Sequence, residues 1–100
     1  MVFDVSKISG IGEFNTEVQK VDENHTRTLF LKDKKAFLVE NKNTIELRTD
    51  EELRKLLVEK YESVMESRYF GRGGIEIVLA GNQLTTDDLN DLVRLSYNLS

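Results

Sequence analysis

The stretch TRTLFLKDKKAFLVENKNTIELRTDEELRKLL, residues 26–57, decides the fold because the spacing of its apolar residues changes along it. Up to Arg48, apolar residues recur with a period near two, which is typical of β-strands. After Thr49 they recur with the period of an amphipathic helix. The stretch therefore predicts strands followed by a helix. The predicted strands are 26–32, 35–41 and 43–48.

Upstream of this stretch, TEVQKVD (16–22) alternates more weakly and predicts one further strand. The connectors DENH, KDKK and NKN between the four strands are short and polar. Connections of two to four residues join neighbouring strands in antiparallel order. Residues 16–48 therefore predict a four-stranded antiparallel meander.

Two helices are predicted from their capping residues. Thr49 with Glu52 forms one capping-box pattern, which begins a helix running from about residue 50 to about 66. Thr85 with Asp88 forms a second, at the start of a C-terminal helix. Both helices carry an apolar stripe that we expect to be buried. The stripe residues are Leu53, Leu56, Leu57, Lys60 or Tyr61 and Val64 in the first helix, and Leu89, Leu92, Val93, Ser96 and Leu99 in the second.

The remaining segments complete the predicted fold. GIEIVLAGN (74–82) predicts a strand between the helices. Residues 1–15 place Val2, Phe3, Val5, Ile8, Ile11 and Phe14 at roughly helical spacing, which predicts a short helix or turn docked on the core. We expect an α+β fold: an antiparallel sheet of about five strands with two or three helices packed mainly on one face. Residues 1–100 are expected to form a single domain.

The composition narrows the possible functions. The chain contains no cysteine, which excludes disulfides, thiolate metal sites and cysteine nucleophiles. No apolar run approaches the ~18 residues of a membrane span, and no signal peptide is visible, so we expect a cytoplasmic protein without a membrane partner. The net charge of −4 argues against tight non-specific binding of nucleic acid. We expect no cofactor and no metal.

RYFGRGG (68–74) is the segment that most resembles a ligand-binding loop. Its glycines lack the spacing of a dinucleotide-binding loop, and the Gly-Lys-Ser/Thr triplet of a Walker loop is absent. We interpret it as a turn before a strand, with one glycine at positive φ and another allowing a bulge. The alternative is an anion site formed by backbone amides with Arg68 and Arg72.

A basic cluster is predicted at the tip of the hairpin around KDKK. Lys32, Lys34 and Lys35, with Arg27 nearby, could contact phosphates, although Asp33 interrupts the run and solvated turn lysines are common. Together with the glycine segment this gives six candidate contacts for nucleic acid or an anion. They are Arg27, Lys32, Lys34, Lys35, Arg68 and Arg72.

Other polar groups have simpler interpretations. His25 lies in a predicted polar turn, and one histidine without a partner does not make a catalytic or metal site. The acidic runs that open both helices are explained by capping and by the helix dipole. Tyr61, Tyr69, Phe70 and Tyr97 could form a stacking platform, but Tyr61 and Tyr97 lie near the predicted core stripes.

Residues 27–98 resemble the MmcQ/YjbR family of small α+β proteins. The resemblance rests on Lys35-x-Phe37 in KDKKAF, on the strand-to-helix step IELRTDEELRKLL, and on Ser96-Tyr97-x-Leu99 in the last helix. The chain departs from the family at Gly74-Ile75, where the family has a tryptophan. The resemblance implies a family largely without assigned activity, for which a DNA-binding role has been suggested on grounds of fold.

We therefore expect a non-enzymatic domain that acts by binding. The first hypothesis is an interaction or adaptor module for a protein partner. The alternative is a DNA-binding protein that uses the basic hairpin tip and the loop carrying Arg68 and Arg72.

Overall fold

Six antiparallel strands and two α-helices make up the computed structural model over the residues it describes, 4–100. The strands are β1 Asn15–Asp22, β2 His25–Lys32, β3 Lys35–Glu40, β4 Thr44–Arg48, β5 Val64–Ser67 and β6 Gly71–Val78. The helices are α1 Glu51–Lys60 and α2 Thr86–Leu99, and short 3₁₀ turns cover Val5–Lys7 and Leu79–Gly81.

The strands form one sheet in the order β1-β2-β3-β4-β6-β5, and every neighbouring pair is antiparallel. The first four strands follow one another along the sheet, which confirms the predicted meander. After β4 the chain forms α1 and β5 before β6 returns beside β4. The α+β class is confirmed, with six strands where about five were expected.

The core lies between the sheet and the helices. Phe37, Leu47, Ile75 and Val93 are fully buried there. α2 packs on β3 and β4, whereas α1 packs on β5 and β6. Leu57 of α1 and Val93 of α2 belong to one core cluster, so both helices cover the same face of the sheet, as predicted.

Ser96 connects α2 to two strands through hydrogen bonds. Its buried hydroxyl donates to the carbonyl oxygen of Phe37 at 2.5 Å and accepts from the backbone N–H of Arg48 at 2.8 Å. The same buried group thus satisfies backbone atoms of β3 and β4.

The N-terminal segment docks on this core through apolar side chains, as predicted. Val5 and Ile8 are buried, and Ile11 and Phe14 pack against the same cluster. Of the predicted docking residues, Val2 and Phe3 lie outside the described residues.

The first helix is shorter than predicted. It ends at Lys60 rather than near residue 66, and the chain then forms β5, a strand that was not predicted. Val64 fits the helical stripe, but it is also a buried strand residue paired with Ile77 of β6. Pairing along β6 prevails because it satisfies the backbone hydrogen bonds of that strand.

Three other predictions about the helices were wrong. The N-cap of α1 is Asp50, whose carboxylate accepts from the backbone N–H of Leu53 at 2.7 Å, and not Thr49. Leu56 and Leu99, expected in the buried stripes, are 60% and 49% exposed. The capping box of Thr85 and Asp88 is confirmed.

The glycine segment forms the start of β6, which begins at Gly71 instead of residue 74 and ends at Val78. Gly71 has a φ of +61°, and the register of the β5–β6 pair shifts beside it. The positive φ of one glycine is confirmed, whereas the turn covers only residues 68–70 and the glycines lie in the strand, with the register shift on β5 between Glu66 and Ser67. None of the helices in the described chain is both long and apolar enough to span a membrane.

Candidate functional site

A groove of about 180 Å³ separates α1 from α2 on the helical side of the molecule. It exists because the two helices pack on different pairs of strands. Its walls combine apolar side chains with two carboxylates. The lining residues are Leu57, Tyr61, Leu84, Leu92, Asp88 and Asp91.

The rim of this groove is negatively charged. Both charged residues that line it, Asp88 and Asp91, are acidic, and α2 carries a single cation, Arg94. Asp88 is held by the capping box, while Asp91 is 72% exposed on its side chain and accepts from Arg94 Nη1 at 2.7 Å. The groove thus offers an apolar floor beside carboxylates that remain open to solvent.

The opposite face of the sheet buries a pair of glutamates. Glu46 of β4 and Glu76 of β6 are directly paired in the register, and each is 2% exposed. They alternate with Ile45, Leu47 and other core residues, so they point away from the helices. Two adjacent carboxylates in this position require hydrogen-bond donors.

Neutral donors surround Glu46. Its Oε1 accepts from the Ser67 hydroxyl and from the Tyr69 backbone N–H, both at 2.9 Å, and its Oε2 accepts from Asn41 Nδ2 at 2.8 Å. Burial by itself raises the pKa of Glu46, but these bonds and the charge of Arg68 lower it, and the net pKa lies below the usual value. Glu46 is therefore held as a carboxylate.

Glu76 is held by a cation. Arg68 Nε donates to its Oε1 at 3.0 Å and Arg68 Nη2 to its Oε2 at 2.8 Å, and Oε2 also accepts from the Thr44 hydroxyl at 2.8 Å. The hydrogen bonds and the charge of Glu76 raise the pKa of Arg68. Through these hydrogen bonds, the two glutamates hold residues 67–69 against the face of the sheet opposite the helices.

Three of the six predicted basic contacts are occupied by other groups of the protein. Arg68 pairs with Glu76. Arg27 donates to Gln19 Oε1 at 3.0 Å and its Cζ lies 5.0 Å from the ring centroid of Tyr69. Lys32 donates to the carbonyl oxygen of Tyr97 at 3.1 Å, near the end of α2.

The other three, Lys34, Lys35 and Arg72, are exposed, and none forms an ion pair within residues 4–100. β3 and β6 both run antiparallel to β4, so their first residues lie at the same end of the sheet. The hairpin tip with Lys34 and Lys35 and the start of β6 with Arg72 thus share one end. Of the remaining three, Arg68 is neutralised by Glu76, whereas Arg27 and Lys32 keep their charge and hydrogen-bond to neutral groups.

His25 and the aromatic residues take mainly structural positions. His25 Nε2 lies 2.9 Å from Asn41 Oδ1. Tyr97 is buried and its ring lies 5.0 Å, centroid to centroid, from that of Phe37. Tyr69 is 38% exposed and packs edge-on against Phe70 at 4.9 Å. Because Tyr97 is buried and Tyr61 lines the groove between the helices, the four predicted rings do not form one exposed platform.

The Glu46–Glu76 pair is not predicted from the sequence. In NTIELR and GIEIV each glutamate alternates with isoleucine or leucine, which ordinarily indicates a solvent-facing position on a half-buried strand. The only hint in the sequence is the pair Ser67-Arg68 before the glycines. These two side chains can donate hydrogen bonds to carboxylates on the sheet face opposite the helices.

Comparison of the chain with protein-family models, with curated proteins and with solved structures finds no match. The resemblance to the MmcQ/YjbR family therefore stays a prediction. Among the described residues, no three histidine, cysteine or acidic side chains are grouped so that they could hold a metal ion.

Proposed function

We propose that this protein is a non-enzymatic, cytoplasmic binding domain whose partner is a protein segment that is both basic and apolar. The observation that carries the proposal is the groove between α1 and α2, in which Leu57, Tyr61 and Leu92 adjoin Asp88 and Asp91. An apolar floor gives binding energy by excluding water, and carboxylates at the rim select a cationic partner.

The form of the groove favours an amphipathic segment. Two helices with a gap between them accept the apolar face of a peptide, while lysine or arginine on its other face reaches the rim. Partner residues that place a cation near Asp91 would compete with Arg94, which lies 2.7 Å from it. Because both rim charges are exposed to water, they contribute more to selectivity and association rate than to affinity.

The hydrogen bonding of the buried polar residues supports the proposal that the protein is not an enzyme. Both oxygens of Glu46 and both oxygens of Glu76 accept hydrogen bonds from the protein itself. His25 is bonded to Asn41. A general base or nucleophile needs reach to a substrate, and these groups are instead committed to holding the fold. The absence of cysteine supports a cytoplasmic location.

Selection of short random peptides displayed on phage tests the proposal. We expect the selected peptides to combine lysine or arginine with leucine, isoleucine or phenylalanine. In ¹⁵N-resolved NMR titrations they should shift the amides of Leu57, Tyr61 and Leu92. Asp91→Lys should weaken binding about tenfold, because it replaces a charge that attracts the basic peptide by one that repels it.

Asp87→Lys is the matched control, since Asp87 lies on the same helix and does not line the groove. It should leave peptide affinity unchanged. Selected peptides without basic residues, or shifts confined to another surface, would refute this function.

A second candidate, DNA binding, is favoured by one observation. Lys34, Lys35 and Arg72 are exposed and lie at one end of the sheet. Fluorescence anisotropy with a DNA duplex should then show affinity that falls with salt, with a log–log slope of about one per phosphate contacted. Charge reversal at these three residues should abolish binding, and Lys20→Glu on β1 should not. Absence of salt-sensitive binding at low ionic strength excludes this candidate.

A further inference from the structure

A second cleft, of about 200 Å³, opens where the β3–β4 turn meets the side chain of Arg68. It is separate from the groove between the helices and lies at the end of the sheet away from Lys34 and Lys35, because β3 begins at Lys35 and ends beside this turn. The lining residues are His25, Asn41, Lys42, Asn43, Thr44 and Arg68.

Arg68 is fixed in this cleft by a partner behind it. Glu76 accepts from its Nε and Nη2, whereas Nη1 makes no hydrogen bond within residues 4–100, and the side chain is 65% exposed. A guanidinium that is held on one edge by a buried carboxylate presents its other edge in a preorganised position. That edge suits an oxyanion.

The β3–β4 turn supplies further donors. Asn41 N–H donates to the carbonyl oxygen of Thr44 at 2.9 Å, which closes a two-residue loop of Lys42 and Asn43. The backbone N–H groups of Lys42 and Asn43 have no acceptor in the described part of the chain, and the Lys42 side chain is exposed without an ion pair there. Adjacent free N–H groups beside a cation are a common arrangement for binding anions.

The imidazole of His25 also lines the cleft. Asn41 Nδ2 donates to Thr44 and Glu46, so its Oδ1 is the acceptor and His25 Nε2 the donor of the 2.9 Å bond between them. Nδ1 of His25 is then the ring nitrogen without an assigned partner. The ring is partly exposed at the cleft.

We propose that this cleft binds the phosphoryl group of a small phosphate monoester. Lys42, Arg68 and the two turn amides provide the donors, and every carboxylate oxygen of Glu46 and Glu76 already accepts a hydrogen bond from the protein. The cleft is smaller than the roughly 300–1,000 Å³ of sites for drug-sized ligands, so it fits a phosphate with a small organic group. This site functions independently of the groove between the helices.

The test is an NMR titration of the full chain with glycerol phosphate, inorganic phosphate and acetate. We expect glycerol phosphate and inorganic phosphate to give saturable shifts of the Lys42 and Asn43 amides and of Arg68 Nε–H. Acetate should bind at least tenfold more weakly, because a carboxylate has fewer oxygens for these donors.

Lys42→Gln removes one donor from an exposed turn and leaves the Arg68–Glu76 pair intact. It should raise the dissociation constant for glycerol phosphate about tenfold. The matched control, Lys35→Gln, makes the same charge change at the other end of the sheet and should leave it unchanged. Arg68→Lys keeps the charge but loses the planar fork, and should weaken binding as well.

Three results would overturn the proposal. One is an equal loss of binding in Lys35→Gln and Lys42→Gln, which would indicate general charge attraction. Another is a set of shifts that stay linear in phosphate concentration or lie away from residues 41–44. The third is binding of a single-stranded oligonucleotide at this cleft without binding of glycerol phosphate.

Discussion

Arg68 closes over Glu76 with two parallel hydrogen bonds, although the two partners differ greatly in their contact with water. The arginine side chain is 65% exposed and the glutamate side chain 3%. Removing either partner therefore leaves a different defect. Without Arg68 a buried carboxylate has lost its cation, whereas without the charge of Glu76 a guanidinium remains that water can solvate.

Arg68→Gln should accordingly destabilise the protein more than Glu76→Gln. We expect about 2 kcal/mol for Arg68→Gln, below the roughly 3–5 kcal/mol for a fully buried pair because water screens the exposed guanidinium, and about 1 kcal/mol for Glu76→Gln. The double variant should be more stable than Arg68→Gln alone. Urea unfolding measures the stability of the three variants. An equal loss of stability in the two single variants would contradict the expected asymmetry.

Glu46 makes the stability depend on pH in the acidic range. Burial by itself raises its pKa, but the hydrogen bonds from Asn41, the Tyr69 N–H and Ser67 outweigh burial, so the pKa in the folded protein lies below the unfolded value of about 4.5. The stabilisation is thus complete above that unfolded pKa, and it is lost as pH falls through the lower folded pKa.

The measurement is the free energy of unfolding from neutral pH to pH values below 4.5. Glu46→Gln should flatten the acidic part of this curve. Glu59→Gln, on the exposed side of α1, is the control and should leave the slope as it is in the natural chain. An unchanged acid slope in Glu46→Gln would show that the carboxylate is not held in its charged form.

Gly74 is required by a close approach of strands. A Cβ there would lie 2.5 Å from the carbonyl oxygen of Leu47 and 2.6 Å from Cβ of Phe70, whereas at Gly73 the nearest atom would be 3.6 Å away. Gly74→Ala should therefore cost about 1–3 kcal/mol in urea unfolding. Gly73→Ala should change stability by less than about 0.5 kcal/mol. A similar cost for both would mean that the close approach of Leu47 and Phe70 to Gly74 is not what makes this glycine necessary.

The sequence was sufficient for the meander and α2 because local signals agree there with tertiary contacts. The short polar connectors around Asp33 and Lys42 fix antiparallel neighbours, and Thr85 with Asp88 marks the helix start. At Val64 local and tertiary signals disagree. The residue fits a helical stripe and a strand equally, and only the presence of β6 selects the strand.

The candidate sites were less predictable because they depend on which elements face each other. The groove arises from the separate packing of α1 and α2, which no spacing within either helix encodes. Arg68 was singled out as a basic residue, but its partner Glu76 is eight residues away on the next strand. The sequence shows that Arg68 is charged, but it does not show whether a buried carboxylate pairs with it.

Substitutions at the start of α1 distinguish whether Thr49 or Asp50 caps the helix. Thr49 Oγ1 is buried without a hydrogen-bond partner in the described structure, while the Asp50 carboxylate accepts from the Leu53 N–H. Thr49→Val replaces an unsatisfied hydroxyl by a methyl of similar shape and should stabilise the protein by about 1 kcal/mol. Asp50→Ala removes the cap and should destabilise it by about 1 kcal/mol. Thermal unfolding of both variants measures the difference. If Thr49 capped the helix, Thr49→Val would instead destabilise the protein by removing the acceptor, and Asp50→Ala would have little effect because it would remove only an exposed charge.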